Sequence, residues 1–86
     1  GQFQLTHTEH EIAWLQLGQQ LWISVPDHLV GNTMQIVDMS GKVIRSSVVT
    51  ASVQAYDLQA LPVGVYLARL PNGPKRTGAY RFYVQP

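Results

Sequence analysis

The stretch that decides the fold is DLQALPVGVY, residues 57–66. Leucines, a proline and a glycine lead there into a strand that begins near Tyr66. In sandwiches built from two antiparallel sheets, a tyrosine at this place marks a corner between the sheets, and its hydroxyl bonds to a backbone group a few residues upstream. We therefore predict that the Tyr66 ring is a buried part of the scaffold and not a platform for a ligand.

Short strand patterns extend from this corner in both directions. Val, Ile and Thr total 19 residues, against 10 for Ala, Glu and Lys, so the composition favours strands over helices. Turns rich in the 7 Gly and 5 Pro separate the predicted strands, which are residues 2–6, 11–17, 21–25, 33–38, 42–49, 53–57, 65–70 and 78–85. In the last strand Tyr80, Phe82 and Val84 share one face. We predict an all-β fold, an immunoglobulin-like antiparallel β-sandwich of about seven strands.

The composition indicates a single globular domain. Of the 86 residues, 45% are apolar and 13% are charged, against about 25% charged residues in an average globular protein. This balance is too apolar for a disordered tail. No apolar run is long enough for a membrane-spanning helix or the core of a signal peptide. The lack of cysteine excludes disulfide bonds, thiolate zinc sites and cysteine nucleophiles.

Charge is distributed unevenly along the chain, although the net charge is only +1. Residues 1–57 hold five acids and two bases, a balance of −3, whereas residues 58–86 hold four bases and no acid, a balance of +4. The four bases of the second part are Arg69, Lys75, Arg76 and Arg81. Such a cluster either meets an acidic surface or is a solvated face.

The positive charges, together with nearby aromatic residues, also suggest a nucleic-acid site. Arg76, Tyr80, Arg81 and Tyr83 interleave cations with aromatic rings, as in a groove for single strands. The net charge near zero disfavours this interpretation, because nucleic-acid modules are usually strongly basic. We predict no nucleic-acid partner.

Metal-binding side chains gather in one stretch of the sequence. His7, Glu9, His10 and Glu11 are close together, but an extended chain would project His10 away from the other three. His28 is the one further histidine, in a predicted loop. Such a set of donors holds a metal ion weakly. We predict no metal site and no cofactor.

Catalytic groupings are likewise not indicated. The serines lie on predicted strands and turns, and none occupies a strained turn of the kind that exposes a nucleophile to a base. Asp38 and Asp57 precede turns and have the position of turn-forming residues, not of a catalytic pair. No glycine-rich phosphate loop occurs. We predict that the chain is not an enzyme.

Two tryptophans offer an alternative function. Trp14 and Trp22 lie on strands that are predicted to pair across the turn at Gly18. If both rings faced solvent, they would form a platform for sugar rings. Because an indole buries a large area, we expect at least one of them to anchor the core, with Trp22 on the outside. The alternative is thus an adhesion or carbohydrate-binding module that uses Trp14 and Trp22.

A specific order of motifs carries a family resemblance. LWISVP at 21–26 is followed by MQIVDMSGKVI at 34–44, DLQALPVGVYLARL at 57–70 and RFYV at 81–84. In this order and spacing the motifs resemble the C-terminal sorting domain of the type IX (Por) secretion system of Bacteroidota. The resemblance covers about residues 20–86. It leaves residues 1–19 as a linker and first strand or strands of the one domain.

The resemblance implies a signal and not an activity. It implies an immunoglobulin-like fold at the end of a cargo protein, which is directed from the periplasm through the outer-membrane translocon to the cell surface. The partners that it implies are the type IX translocon and outer-membrane shuttle or sortase proteins. The recognition residues that it implies are Gly41 and Lys42 in a hairpin, Gly64, Val65 and Tyr66 at the corner, and Arg81, Phe82, Tyr83 and Val84 in the last strand.

Two positions depart from the family pattern, and one further property is expected of such a small sandwich. The chain ends in VQP at 84–86, where many members have a lysine-containing tail, and Val37 stands where tyrosine is common. Whether the domain stays on its parent protein or is cleaved is therefore open. Exposed edge strands also make a dimer possible.

Overall fold

The computed structural model describes residues 11–85, so the predicted strand at residues 2–6 lies outside the described part. The elements, in chain order, are β1 (Ala13–Leu17), β2 (Gln20–Ser24), a 3-10 turn (Asp27–Leu29), β3 (Thr33–Asp38), β4 (Val43–Val48), β5 (Val53–Asp57), β6 (Gly64–Arg69) and β7 (Ala79–Val84). The predicted limits of β3 and β5 are confirmed, and those of the other strands shift by one or two residues.

Two antiparallel sheets form the sandwich. The first has the strand order β1-β2-β5 and the second has the order β4-β3-β6-β7. The chain changes sheet after β2, after β4 and after β5, so neighbouring strands in sequence do not always pair. The predicted all-β sandwich is confirmed. Relative to the constant immunoglobulin domain, the fourth strand lies in the second sheet and not in the first.

Alternation along the strands builds the core. In β2 the inward side chains are Leu21 and Ile23, and in β3 they are Met34 and Ile36; all four are at most 1% exposed. Burying one such side chain contributes about 1.5–3 kcal/mol. The core also contains Leu58 from the corner, which lies between the two sheets with the residues above. The period of two in the sequence thus gives each sheet one apolar face toward the other.

The corner that the sequence predicts is present. The Tyr66 hydroxyl donates to the carbonyl oxygen of Pro62 at 2.6 Å, four residues upstream. The Tyr66 side chain is only 6% exposed and belongs to the core. The hydrogen bond fixes the path of the chain between β5 and β6, because it ties the first turn of the corner to the strand that follows.

Tyr66→Phe tests the corner. Removal of the hydroxyl leaves the Pro62 carbonyl without this donor in a part-buried place, and we expect the free energy of unfolding to fall by about 1–2 kcal/mol. Urea denaturation followed by circular dichroism measures the change. Tyr83→Phe is the matched control, since Tyr83 is 47% exposed, and it should change stability by less than about 0.5 kcal/mol. Equal stability of Tyr66→Phe and the wild type would refute this role.

Tyr56→Phe should raise the free energy of unfolding, whereas Tyr66→Phe should lower it. The Tyr56 hydroxyl is buried, has no hydrogen-bond partner in the part of the chain that the structure describes, and burial raises the pKa of its phenol. Because a buried polar atom without a partner costs free energy, we expect its removal to stabilise the fold by about 1 kcal/mol. The same urea titrations measure this change. A loss of stability would mean that the hydroxyl has a bound partner in solution.

Candidate recognition surface

The terminal strand β7 forms one edge of the four-stranded sheet. It pairs with β6 alone among the described strands, and its side chains alternate strictly between core and solvent. Phe82 and Val84 are buried at 4% and 6% exposure, whereas Arg81 and Tyr83 are exposed. Half of the predicted terminal recognition residues thus face outward, and the other half attach the strand to the core.

An aromatic ladder holds β7 in place. Tyr80 stacks on Trp14 with 6.0 Å between ring centroids, and Tyr80 and Phe82 are 6.4 Å apart. Phe82 in turn lies 5.8 Å from Tyr66 at the corner. The ladder therefore runs from β1 in the first sheet, along the inner side of β7, to β6. It explains the prediction that Tyr80, Phe82 and Val84 share a face, which is confirmed.

Strand β1 runs beside the open edge of β7 and bonds to it through side chains. The backbone N–H of Ile12 donates to the Thr77 hydroxyl at 3.0 Å, and Trp14 Nε1 donates to the Thr77 carbonyl at 2.8 Å. Further along, Gln16 Nε2 donates to the carbonyl oxygen of Tyr83 at 2.7 Å. Because the Tyr83 carbonyl points to β1, it points away from β6, and its N–H points the same way.

The end of β7 borders a cleft of about 320 Å³. The turn between β1 and β2 and the corner close it on the other sides. Its lining residues are Gln16, Gly18, Gln19, Leu58, Tyr83, Val84 and Gln85. The cleft is a concave place next to the outward-facing groups of β7.

The hairpin between β3 and β4 carries the predicted residues Gly41 and Lys42, both exposed. Gly41 adopts a φ of +90°, which side chains disfavour, so the turn depends on glycine. Asp38 Oδ1 accepts three hydrogen bonds in this turn, from the backbone and hydroxyl of Ser40 and from the Lys42 N–H. The turn is therefore rigid, and its conformation positions Lys42.

Asp38 gives the hairpin a pH dependence. The hydrogen bond from the Ser40 hydroxyl, followed by that from the Lys42 N–H, lowers the pKa of Asp38 below its ordinary value of 3.8. A lowered pKa in the folded state stabilises the fold above the unfolded pKa, and this contribution is lost as the pH falls through the folded value. We expect Asp38→Asn to lose less stability between pH 7 and pH 3 than the wild type in urea titrations.

The control for this prediction is Ser40→Ala, which keeps the Asp38 carboxyl and removes the hydroxyl that donates to its Oδ1 at 2.6 Å. Its loss of stability between pH 7 and pH 3 should lie between those of Asp38→Asn and the wild type. If Asp38→Asn and the wild type lost equal stability over the same pH range, the carboxylate of Asp38 would not be the group responsible.

The structure brings the three predicted recognition segments to one end of the four-stranded sheet. Asp38, where the hairpin begins, pairs with Tyr66, which pairs with Phe82. Gly64 and Val65 pair with Val84 and Tyr83, and both are partly exposed. Hairpin, corner and terminal strand therefore adjoin, although up to 43 residues separate them in the sequence. The exposed members are Gly41, Lys42, Arg81 and Tyr83, while Tyr66, Phe82 and Val84 are buried.

The two tryptophans do not form a platform. Trp14 pairs with the core residue Ile23, while Trp22 pairs with Leu15, so the rings lie on opposite faces of the first sheet. Trp14 packs against the core, and Trp22 lies between two inward residues and faces outward. The expectation that one indole anchors the core is confirmed. The alternative that Trp14 and Trp22 form one sugar-binding face is wrong. Cross-strand partners share a face and adjacent residues of a strand do not, so Trp14, the partner of Ile23, faces away from Trp22.

Other candidate chemistry receives little support from residues 11–85. His7, Glu9 and His10 lie outside the described residues, and within residues 11–85 no three His, Asp or Glu side chains gather as a metal site would need. Tyr80 is in the aromatic ladder, on the opposite face of β7 from Arg81 and Tyr83, so the residues considered for a nucleic-acid groove do not all share one face. In the same part of the chain, no helix has the length and apolar character needed to cross a membrane.

Comparison with known proteins identifies the family of the chain. The family model of a secretion system C-terminal sorting domain matches residues 18–84, which include β2 to β7. The chain belongs to this family. The type IX sorting domain, as the sequence predicts, is a signal for export by the type IX machinery, and its family is not a family of enzymes. It marks a secreted protein that goes to the outer membrane or cell surface. No curated protein and no solved structure matches the chain significantly.

Three residues that hold neighbouring segments of the sorting domain together were not predicted from the sequence. Gln16 bonds to β7 and Thr77 bonds to the segment before β1, while Gln35 on β3 accepts a hydrogen bond from Arg69 Nε at 2.9 Å. Of these three residues, only Gln16 could have been identified from the sequence, because it lies on the same inward face of its strand as Ile12 and Trp14. A polar side chain in phase with two core residues indicates a bond across the sandwich edge.

Proposed function

We propose that the type IX apparatus recognises this sorting domain as a folded sandwich, through β7 and the hairpin and corner beside it. In this proposal the translocon and an outer-membrane shuttle or sortase protein are the partners. The domain takes its parent protein from the periplasm through the outer membrane, and attachment to the cell surface follows.

The observation that supports this proposal is that the side chains of β7 alternate between the core and solvent, so that every second one is exposed. Arg81 and Tyr83 project from an edge strand, and the segment from Leu58 to Gln85 contains bases but no acid. Phe82 and Val84 act from inside by holding the strand in register. Gly64, Val65 and Tyr66 shape the corner on which β7 rests, so their part is to position the surface. Gly41 and Lys42 extend the surface at the same end of the sheet.

Strand addition is the mode of recognition that fits this edge. A partner strand would bond to backbone groups of β7 that point away from β6, as peptides do at exposed sheet edges. The N–H of Tyr83 is such a group, because the neighbouring carbonyl of the same residue bonds to Gln16 across the edge. The Gln16 amide bonds to the Tyr83 carbonyl where a partner's backbone would bond, so a partner strand would displace this side chain.

Export of a reporter protein tests this proposal. Residues 1–86 are fused to the reporter in cells that have the type IX machinery, and the exported fraction is measured. Deletion of β7 is a poor test, because it also removes Phe82 and Val84 from the core. Tyr83→Pro instead removes an outward N–H and no bond to β6, which an edge strand tolerates. We expect a loss of about tenfold in export, the worth of one backbone hydrogen bond.

Tyr83→Ala is the matched control, because it removes the same ring and keeps the N–H. Thermal melts of both variants should show that each remains folded. If the wild-type fusion stays in the periplasm, the proposed function is wrong. If Tyr83→Pro and Tyr83→Ala are exported equally well while folded, recognition does not use the backbone edge of β7.

Self-association through an edge strand stays a prediction. The two edges on the other side of the sandwich, β4 and β5, are joined by Arg45, whose Nη1 donates to the Asp57 carbonyl at 2.8 Å. Sedimentation equilibrium of the isolated domain would show whether a dimer forms.

A further inference from the structure

A row of aliphatic side chains crosses the outer face of the four-stranded sheet. Val43 of β4 pairs with Val37 of β3, which pairs with Leu67 of β6, which pairs with Arg81 of β7. Val37 is only 3% exposed and yet is not part of the cluster between the sheets, so it is covered on the outer face by its neighbours. The outer face therefore has an apolar centre of its own.

A β-bulge widens this apolar centre at β4. The register between β3 and β4 shifts between Ile36 and Val37, so Ile44 is an extra residue opposite them. Val43 and Ile44 are consequently both exposed, at 41% and 39%. At the other side Val65 pairs with the exposed Tyr83. We call the surface formed by Val37, Val43, Val65, Leu67 and Tyr83 the outer strip.

Cations border the outer strip. Lys42 precedes Val43 at the β4 end, and Arg81 ends the row at β7. Arg69 lies on the same face two residues after Leu67, diagonal to Arg81, and its Nε is bonded to Gln35 at 2.9 Å.

Acidic side chains are scarce in this sheet. Asp38 is the single acid of β3, β4, β6 and β7, and its Oδ1 already accepts three hydrogen bonds in its own turn. The border of the outer strip is thus positive and its centre apolar, which is the pattern of a protein contact surface with a polar rim.

We propose that the outer strip is a second docking surface, for a protein of the export apparatus whose contact patch is apolar at its centre and acidic at its rim. This inference rests on the proposed function. It adds a surface that reaches across the sheet to β4, away from the β7 edge. Charge complementarity selects an acidic partner and disfavours a second copy, because two outer strips face to face would oppose Lys42, Arg69 and Arg81 of each copy.

Charge and apolar variants with matched controls test the outer strip in the same export assay. Val43→Asp is at the β4 end, far from the β7 edge, and Arg69→Glu reverses one rim cation that the proposed function does not use. Val53→Asp, on β5 of the other sheet at 49% exposure, controls for the first. Arg76→Glu, in the exposed turn before β7, controls for the second. We expect each outer-strip variant to lower export about tenfold and each control to stay within about twofold of the wild type.

The outcomes separate this inference from the proposed function. Loss of export by the wild-type fusion overturns both. Normal export of the folded Val43→Asp and Arg69→Glu variants, with normal export of the wild type, overturns the outer strip alone. Thermal melts establish that the variants are folded. Loss of export by Val53→Asp to the same degree would show an effect of charge anywhere on the domain, and would also overturn it.

Two binding measurements identify the occupant. A photoreactive amino acid at position 43 should crosslink to an acidic surface of an export component, identified by mass spectrometry, and the same group at position 53 should not. Co-sedimentation with vesicles of phosphatidylcholine and phosphatidylglycerol tests a membrane instead. Binding to these vesicles that Val43→Asp abolishes would overturn the protein partner, as would a dimer in sedimentation equilibrium that the same variant dissociates.

Discussion

Phe82→Ala is expected to lower the free energy of unfolding by about 3–5 kcal/mol, the cost of an emptied aromatic site in a core. Phe82 is 4% exposed and lies between Tyr66 and Tyr80, with ring centroids 5.8 Å and 6.4 Å away. A domain of this size has a total stability of about 4–13 kcal/mol. The variant should therefore melt about 15–30 °C below the wild type, and differential scanning calorimetry measures the shift.

Two further variants, Tyr83→Ala and Phe82→Leu, show whether the loss of stability comes from the emptied core or from a change anywhere in β7. Tyr83→Ala removes an exposed ring from the same strand and should cost less than about 1 kcal/mol. Phe82→Leu keeps most of the apolar volume and should recover part of the loss. A melting temperature of Phe82→Ala within a few degrees of the wild type would contradict a central place for Phe82 in the aromatic ladder.

Loss of Phe82 should also reduce export, by a different cause from that of the surface variants. Without its central ring, β7 is held to the core by Tyr80 and Val84 alone, so the surface that it presents is less ordered. Export and melting temperature should then fall together in Phe82→Ala. In Arg69→Glu and Tyr83→Pro we expect export to fall while the fold survives.

Trp14→Ala is the second large effect, with an expected loss of about 3 kcal/mol in the free energy of unfolding. The indole stacks on Tyr80 at 6.0 Å, and its Nε1 donates to the Thr77 carbonyl at 2.8 Å. The first contact joins β1 of the first sheet to β7 of the second, and the second contact joins β1 to the segment just before β7. The variant should therefore loosen β1, and amide hydrogen exchange at residues 13–17 should speed up more than exchange in β3.

Trp14→Phe separates the two contributions of Trp14. Phenylalanine keeps a ring beside Tyr80 and loses the donor to Thr77, so we expect about half the destabilisation of the alanine variant. Because Trp22 is then the remaining tryptophan, its emission reports unfolding in both variants. Equal exchange rates of β1 in the wild type and Trp14→Ala would mean that Trp14 does not anchor the strand.

Local pattern in the sequence accounts for the parts of the fold that could be predicted. The period of two along β7 predicts that Phe82 and Val84 face inward, because neighbouring side chains of a strand point to opposite faces. The LPVGVY segment predicts the corner and its Tyr66 hydrogen bond, since both partners lie within a few residues of each other. The motifs at 34–44 and 57–70 predict the family for the same reason, as short runs in a fixed order.

The placement of the two tryptophans shows where local pattern ends. The sequence indicates that Trp14 and Trp22 lie on paired strands, but it does not give the register of that pairing. A shared platform of the two rings therefore stayed an alternative. The register pairs Trp14 with Ile23 and Trp22 with Leu15, and this puts the rings on opposite faces. A change of one residue in the pairing of an antiparallel hairpin would reverse such an assignment.

By itself, the sequence determined the strands, their buried faces, the Tyr66 corner and the family, because each depends on residues that are close along the chain. Only the tertiary structure decided that β1 runs beside β7, through bonds that span 63 to 67 residues, and that hairpin, corner and terminal strand meet at one end of the sheet. Such contacts depend on which strand edges become neighbours when two sheets pack, and that choice is made by the whole core together.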